Sequence, residues 1–189
     1  MKNVDGRLIL SGAFAVLAAA MLACGGPLAL GGPTPTYEPI PVSTEAIGSL
    51  KDKFDSLGAA SGEVTVSITE SELTSFIDEQ LAAPPDTAFS DPQVYLRDGK
   101  IRLYGTVTTE NFTANALIIM NASIVDNRMQ VAIESADFGP APVPQDLLNS
   151  LTTTINDKLL SLFSGLPTGV GIKSIAVADG SLTLTAVVK

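Results

Sequence analysis

The chain has 189 residues, 46% of them hydrophobic and 16% charged, with a formal net charge of −9. It contains no histidine and a single cysteine. Those counts exclude an intrachain disulfide, the His-containing zinc sites and the Ser–His or Cys–His pairs of many hydrolases. The acidic balance argues against nucleic acid as a partner, because neutralised phosphates supply most of that affinity. The length suits one folded domain, since domains commonly run to about 100–200 residues.

The chain begins with the pattern of an export signal. A basic start is followed by an apolar run over residues 8–23, and the only cysteine, Cys24, stands directly after that run. The run is shorter than the roughly 20 residues that a membrane-spanning helix needs. We therefore interpret residues 1–23 as a signal peptide.

The segment Met21-Leu22-Ala23-Cys24 resembles the bacterial lipobox, in which the cysteine becomes the lipidated first residue of the mature protein. The resemblance implies a lipoprotein anchored through Cys24, with an extracytoplasmic location on the cell membrane or the outer membrane. Each buried CH₂ of an acyl chain contributes about 0.8 kcal/mol, so the anchor would hold by burial rather than by charge. An uncleaved membrane anchor and an ordinary secreted protein are the alternatives.

Residues 24–42 are expected to form a tether behind the lipidated cysteine. The segment is rich in glycine and proline and carries little charge, so it cannot bury enough apolar surface to fold by itself. The pattern changes over residues 43–61, where a short amphipathic helix is predicted. That helix either packs on the body or stays loose. Its apolar side would consist of Ile47, Leu50, Phe54 and Leu57.

The folded body is expected over residues 62–189. Alternating apolar residues predict a strand over residues 64–68. Thr69 and Glu72 then form a capping-box pattern, which predicts a helix over residues 70–82. The buried stripe of that helix would consist of Leu73, Phe76, Ile77 and Leu81.

Long strands and a second helix follow. Arg97-Asp98-Gly99 predicts a hairpin turn, and strict alternation over residues 112–124 predicts a strand of roughly 40 Å that returns after Asp126-Asn127. A second amphipathic helix is expected over residues 145–163, and a last hairpin turns at Asp179-Gly180. Each Asp-Gly hairpin follows an amphipathic helix. The body is therefore predicted to hold two helix–hairpin units joined by a long central hairpin.

Three segments resemble a known group of proteins. Val66-Ser67-Ile68-Thr69-Glu70-Ser71-Glu72-Leu73 resembles the opening of small bacterial lipid-binding lipoproteins, the LmeA-like and YpmS-like groups. Phe138-Gly139-Pro140-Ala141-Pro142-Val143-Pro144, before a Leu-rich helix, resembles their entry to that helix, and the closing segment over residues 175–184 is similar to their last hairpin. The resemblance covers about Glu63 to Lys189.

Those groups are similar in architecture to the tubular lipid-binding superfamily. The resemblance implies an α+β fold in which a long curved antiparallel sheet wraps a long amphipathic helix. It also implies that an apolar groove between sheet and helix binds a lipid, without catalysis. A separate physical argument agrees, because antiparallel sheets twist and a strand pair of this length should curl around the second helix.

The residues expected to line such a groove are apolar and lie on the inner faces of the long strands and on the second helix. They are Phe112, Ala114, Ala116, Ile118, Met120, Met129, Val131, Ile133, Leu151, Ile155, Leu159 and Phe163. The sequence predicts no catalytic residue, no cofactor and no metal ligand.

Two functions stay open. The first is a membrane-anchored protein that binds a lipid or another hydrophobic molecule, which requires an apolar space of at least a few hundred Å³. The alternative is a structural or interaction lipoprotein with a dry core and no small-molecule ligand. It would have a filled interior and an exposed apolar patch near Leu117 and Ile119, whereas we expect the helices over residues 43–57 or 70–82 to cover that patch.

Overall fold

The computed structural model describes residues 28–82, 88–126, 128–164 and 170–188. Its helices are α1 (Thr44–Ala59), α2 (Glu70–Ala82) and α3 (Gln145–Ser164). Its strands are β1 (Leu28–Ala29), β2 (Gly62–Thr69), β3 (Phe89–Arg97), β4 (Lys100–Thr108), β5 (Phe112–Val125), β6 (Arg128–Asp137), β7 (Val170–Ala178) and β8 (Ser181–Val188). The predicted signal peptide over residues 1–23 and Cys24 lie outside the described residues.

The strands form two sheets. In the larger sheet β3 pairs with β4 and β4 with β5, all antiparallel, while β6 and the short parallel β1 share the other side of β5. The smaller sheet is antiparallel, in the order β2–β8–β7. The larger sheet curls strongly into a half-barrel, and together with the helices it confirms the predicted α+β fold with a curved sheet.

The long strand β5 lies at the centre of that curl. One of its faces is buried at every second position from Phe112 to Met120, and the residues between them are half-buried. Its 14 residues far exceed the mean strand length of about 5–6 residues. A register shift between β5 and β6 at Ile119 and Met120 forms a β-bulge, which increases the local twist of the pair.

Helix α2 begins at the predicted capping box and covers the open edge of β3. The backbone N–H of Thr69 donates to Glu72 at 2.8 Å, and the N–H of Glu72 donates to the Thr69 hydroxyl at 3.3 Å. At the edge of β3, the N–H of Val94 donates to the Thr74 hydroxyl at 3.0 Å. An exposed strand edge leaves its N–H groups unpaired, so side chains of α2 provide the partners that a neighbouring strand would give.

The two predicted helix–hairpin units are α2–β3–β4 and α3–β7–β8, and their hairpins belong to different sheets. Asp98 and Gly99 form the first turn with φ angles of 55° and 72°, the left-handed conformation that two-residue hairpin turns need. The hairpin ends meet, because the N–H of Gly180 donates to the Leu96 carbonyl at 3.1 Å. Strand β7 contacts β3, β4, β5 and β6, so the two sheets share one core.

The segment before α1 is attached to the larger sheet. Leu28 pairs with Phe112, and the N–H of Leu30 donates to the Thr113 carbonyl at 2.9 Å. The N–H of Asn115 donates to the Gly31 carbonyl, also at 2.9 Å. Residues 28–31 therefore occupy the side of β5 that β6 leaves free.

The same segment continues past the end of β3. The side chain of Gln93 accepts from the N–H of Ile40 at 2.6 Å and donates to the Ile40 carbonyl at 3.1 Å. The hydroxyl of Tyr95 donates to the Glu38 carbonyl at 3.0 Å, and the Tyr95 ring lies 4.9 Å from that of Tyr37. Within the predicted tether over residues 24–42, the backbone of residues 28–42 thus finds hydrogen-bond partners on the sheet.

The outer face of β5 is not open. Leu117 and Ile119 are half-buried beside their cross-strand partners Tyr104 and Arg102, and Tyr104 is itself buried. The patch that the dry-core alternative requires is therefore not exposed. None of the helices within the described residues is both long and apolar enough to cross a bilayer.

Candidate functional site

An apolar cavity opens between α2 and α3, over the inner face of the larger sheet. Its volume is about 60 Å³. Residues from seven helices and strands line it: Leu73, Phe76, Ile77, Gln80 and Leu81 of α2, Val94 of β3, Ile101 of β4, Met120 of β5, Met129 and Val131 of β6, Thr154, Ile155 and Lys158 of α3, and Leu182 of β8. Gln80, Thr154 and Lys158 are the polar residues among them, and they line the cavity almost entirely with carbon atoms.

Helix α2 supplies one wall of the cavity. The apolar residues predicted as its buried stripe recur at spacings of three and four, so they share one helical face. Phe76 and Leu81 are buried, while Leu73 and Ile77 are half-buried. Leu73 and Ile77 therefore belong to the part of this wall that is close to the protein surface, between the two helices.

The floor of the cavity is the curled part of the larger sheet. Met120 of β5 stands at the β-bulge and is 1% exposed, and its antiparallel partner Ile101 is 5% exposed. Met129 and Val131 continue the floor on β6. Methionine side chains are unbranched and adapt to irregular spaces, so Met120 and Met129 suit a wall that must accept ligands of varying shape.

Helix α3 supplies the opposite wall. Leu151 is its buried contact with the core, and Ile155 and Lys158 follow on the same face at spacings of four and three. Asn156 ties the helix to the sheet, because the N–H of Val131 donates to its amide oxygen at 2.9 Å and its amide nitrogen donates to the Val131 carbonyl at 2.9 Å.

A second, more polar cavity of about 650 Å³ lies between β6 and the first half of α3. Its lining includes Ile133, Glu134, Gln145 and Thr152. Val131 lines both this cavity and the apolar one, so the two cavities meet at Val131, the residue that Asn156 hydrogen-bonds. An acyl chain needs an apolar lining, and we therefore take the cavity between α2 and α3 as the candidate site.

The structure divides the twelve residues predicted to line a groove into three groups. Met120, Met129, Val131 and Ile155 line the apolar cavity, whereas Ile133 lines only the polar one. The side chains of Leu159 and Phe163 lie outside the described part of the chain. The remaining five are buried in the core and line neither of these two cavities: Phe112, Ala114, Ala116, Ile118 and Leu151.

The smaller sheet accounts for the burial of these residues. Strand β7 contacts β5, and small side chains such as Ala114 and Ala116 allow two layers to pack closely. The apolar cavity lies at the other end of β5, near Met120.

Sequence reasoning missed the contribution of α2 and of Lys158. The α2 stripe was predicted to be buried, but not to face a ligand. Lys158 follows Leu151 by seven residues and Ile155 by three, so it occupies a position of the apolar stripe of α3. A charged residue at a position where the helix is otherwise apolar is the sequence signal that could have identified Lys158.

Ionisable groups near α2 are engaged in structural contacts. Glu72 is 4% exposed and accepts hydrogen bonds from the Lys53 ammonium at 2.8 Å and the Ser49 hydroxyl at 2.5 Å. Burial raises the pKa of Glu72, but these bonds, the Thr69 N–H and the charge of Lys53 outweigh burial and lower the pKa below its usual value. No group of His, Cys, Asp or Glu within the described ranges could hold a metal ion.

Comparison with known proteins supplies one match. The family model described as LmeA-like phospholipid-binding matches residues 35–187, which is well over half of the chain. No curated protein matches the sequence. The matched range contains every residue that lines the apolar cavity.

Proposed function

Because the chain belongs to the LmeA-like phospholipid-binding family, we propose that it binds a phospholipid with an acyl chain in the apolar cavity between α2 and α3. The observation that carries this proposal is the lining itself. Side chains from both helices and from the inner face of the curled sheet converge on one space that contains no acidic group. Burying an acyl chain there removes apolar surface from water on both partners, at about 25 cal/mol per Å².

The cavity must widen before it can hold a ligand. Its volume of about 60 Å³ is far smaller than the roughly 300–1,000 Å³ of small-molecule sites. The larger cavity, of about 650 Å³, shares the lining residue Val131 with it. Moving α3 away from the sheet would join the two spaces and give an acyl chain enough room.

Helix α3 is the element that moves at the lowest cost. Among its residues 145–158, Leu151 is the one buried residue, and its neighbours Leu148 and Ile155 are half-buried. In α2, by contrast, Phe76 and Thr74 are buried. Elements with few buried apolar contacts open with the smallest free energy, so we assign the opening movement to α3.

The proposal includes an anchor at the N-terminus. The lipobox-like segment ending at Cys24 supports lipidation, removal of residues 1–23 and an extracytoplasmic location on a membrane. Because Leu28 already pairs with β5, the four residues from Cys24 to Leu28 would hold the domain within roughly 14 Å of the anchor. A lipid-binding cavity would then stand close to its source of lipid.

The proposed activity is binding, without a chemical reaction. The family is described by what it binds, and the chain contains no histidine. The residues that line the cavity carry an amide, a hydroxyl and an ammonium group, but no carboxylate to act as a general base. These features support a carrier or sensor of lipid rather than a hydrolase.

The test is photochemical crosslinking in vesicles. The full-length protein is reconstituted into phosphatidylcholine vesicles that contain a small fraction of phosphatidylcholine with a photoactivatable diazirine at the end of one acyl chain. After illumination, the crosslinked peptides are identified by mass spectrometry. We expect crosslinks on α2, on α3 and on the floor of the cavity around Met120.

A matched pair of variants separates the cavity from general membrane contact. Ile155→Glu places a charge in the cavity wall, whereas Thr153→Glu places the same charge on the exposed face of α3. We expect Ile155→Glu to abolish crosslinking inside the cavity and Thr153→Glu to leave it unchanged. Equal crosslinking in both variants would contradict the proposal.

The small cavity volume favours one other function, that of a structural or interaction lipoprotein with a dry core. This alternative predicts that cavity residues are never crosslinked, although residues near the membrane are. The same experiment therefore distinguishes the two functions.

A further inference from the structure

Most of the positively charged side chains that the structure describes are paired with carboxylates. Eight lysine and arginine residues lie within the described ranges, and six of them form ion pairs with carboxylates. The paired residues are Lys51, Lys53, Arg97, Lys100, Arg102 and Lys173. Arg128 and Lys158 have no carboxylate partner among the described residues.

The two unpaired cations stand in different surroundings. Arg128 is exposed at the start of β6 and does not line the apolar cavity. Lys158 is half-buried and lines that cavity, on the same face of α3 as Ile155. In a chain with a formal net charge of −9, a cation without a counter-ion at an apolar cavity is an exception.

The carbon chain of Lys158 lines the apolar cavity, so its ammonium group can reach the rim of that cavity. A lysine beside apolar surface lays its carbon chain along that surface and keeps its ammonium group toward water. An ammonium group that loses water without gaining an anion or hydrogen-bond acceptors raises the free energy. The two other polar residues of the lining, Gln80 and Thr154, offer a neutral amide and a hydroxyl.

We propose that Lys158 binds the phosphate of the phospholipid headgroup while the acyl chain occupies the apolar cavity. This inference rests on the proposed function and adds the residue that recognises the headgroup. The charge fits, because a phosphodiester is an anion with several acceptor oxygens and an ammonium group has three donors. Thr154 precedes Lys158 by one helical turn, and Gln80 faces the same cavity from α2, so both can donate to the remaining oxygens.

The proposal predicts a preference for phosphate-bearing lipids over neutral ones of the same chain length. The crosslinking experiment is run with the full-length protein and three probes that carry the same photoactivatable chain: phosphatidylglycerol, phosphatidylcholine and diacylglycerol. We expect both phospholipids to crosslink to the cavity about tenfold more than diacylglycerol, a ratio that corresponds to about 1.4 kcal/mol.

Substitutions test whether the preference for phosphate-bearing lipids depends on the side chain of Lys158. Lys158→Met removes the charge and keeps the length of the apolar stem, and we expect it to reduce both phospholipids to the level of diacylglycerol. Lys158→Arg keeps the charge and should retain the preference. Arg128→Met removes the other unpaired cation and should behave as wild type. Circular dichroism of each variant verifies that it is folded.

The outcomes separate this inference from the proposed function. If Lys158→Met leaves the preference for phosphate unchanged while cavity crosslinking persists, the role of Lys158 is overturned and lipid binding stands. If the wild-type protein gives no cavity crosslinks with any probe, both proposals fail. Millimolar glycerol phosphate, which has no acyl chain, should not reduce crosslinking, and effective competition by it would indicate a site for a free phosphate instead of a lipid.

Discussion

Asn156 hydrogen-bonds both backbone polar groups of Val131, with N···O distances of 2.9 Å in each direction. Val131 lies on the open edge of β6, so the amide takes the place of a further strand. On the opposite edge of the larger sheet, the Thr74 hydroxyl accepts a hydrogen bond from the backbone N–H of Val94, which is one of the two backbone polar groups of that residue. A helix is thus fastened to each edge of the half-barrel, and the apolar cavity lies between the two helices.

Replacing Asn156 should weaken the attachment of α3. Asn156→Ala removes both hydrogen bonds to Val131 and a third to the Thr152 carbonyl, each of roughly 1 kcal/mol, so we expect the free energy of unfolding to fall by about 2–3 kcal/mol. Because the first two bonds hold Val131 between the two cavities, lipid should also enter faster. Urea denaturation measures the first effect, and the time course of cavity crosslinking after mixing with probe vesicles measures the second.

Thr153→Ala is the control for that substitution, since Thr153 is exposed on the same helix and lines neither cavity. It should change neither quantity. A variant of Asn156 that is less stable but takes up lipid at the wild-type rate would show that opening does not proceed through the β6 edge.

The attachment of the N-terminal segment depends on Gly32. This residue has φ +130°, and an added Cβ would collide with the carbonyl oxygen of Asn115. Gly31 also has positive φ, but no atom lies within 4 Å of its added Cβ. We expect Gly32→Ala to detach β1 from β5 and Gly31→Ala to leave it paired, because only the first substitution meets a rigid backbone.

Hydrogen exchange measures this difference at two backbone N–H groups. Those of Leu30 and Asn115 are bonded across the junction of β1 and β5. Both should exchange faster in Gly32→Ala than in Gly31→Ala. Equal protection in the two variants would mean that the segment is held elsewhere, for example by Gln93.

The parts of the fold that the sequence predicts have local causes. The bounds of α2 follow from Thr69 and Glu72, which are three residues apart and satisfy each other's N–H groups. The turn at Asp98 and Gly99 follows from two residues that accept positive φ. The inner face of β5 follows from a period of two. Each of these sequence patterns is formed by residues that lie close together along the chain.

The parts that the sequence does not predict join distant positions. The N-terminal segment has no periodicity, and its partners Gln93 and Tyr95 lie more than fifty residues away. The cavity needs side chains from seven elements, so its place near Met120 depends on where β7 packs. The sequence shows Lys158 as a charged residue within an apolar stripe. Its role as an unpaired cation becomes apparent only when the ion pairs of the other lysine and arginine residues are known.

Stability should depend on pH through Glu72. Its pKa is lowered in the folded protein, because hydrogen bonds from Lys53, Ser49 and Thr69 outweigh the effect of burial. The carboxylate therefore contributes stability above its ordinary pKa, and that contribution is lost as the pH falls through the lowered value. We expect the free energy of unfolding to fall in acid below about pH 4.5, and Glu72→Gln to show a weaker dependence there.

Glu79→Gln is the matched comparison for Glu72. Glu79 pairs with Lys51 at 3.5 Å, and both side chains are about half exposed. Exposed pairs of this kind contribute roughly 0–1 kcal/mol, so the acid dependence should stay close to that of the wild type. Urea denaturation at a series of pH values compares the two variants, and equal curves for both would remove Glu72 as the cause.

Gly48→Ala should stabilise the protein. Gly48 lies inside α1, and nothing lies within 4 Å of an added Cβ. Alanine favours an α-helix over glycine by roughly 0.5–1 kcal/mol. That gain appears in urea denaturation only if α1 unfolds together with the body, as the burial of Leu50, Phe54 and Leu57 implies. Because no residue of α1 lines the apolar cavity, cavity crosslinking should be unaffected. An unchanged midpoint would instead show that α1 detaches before the rest of the chain unfolds.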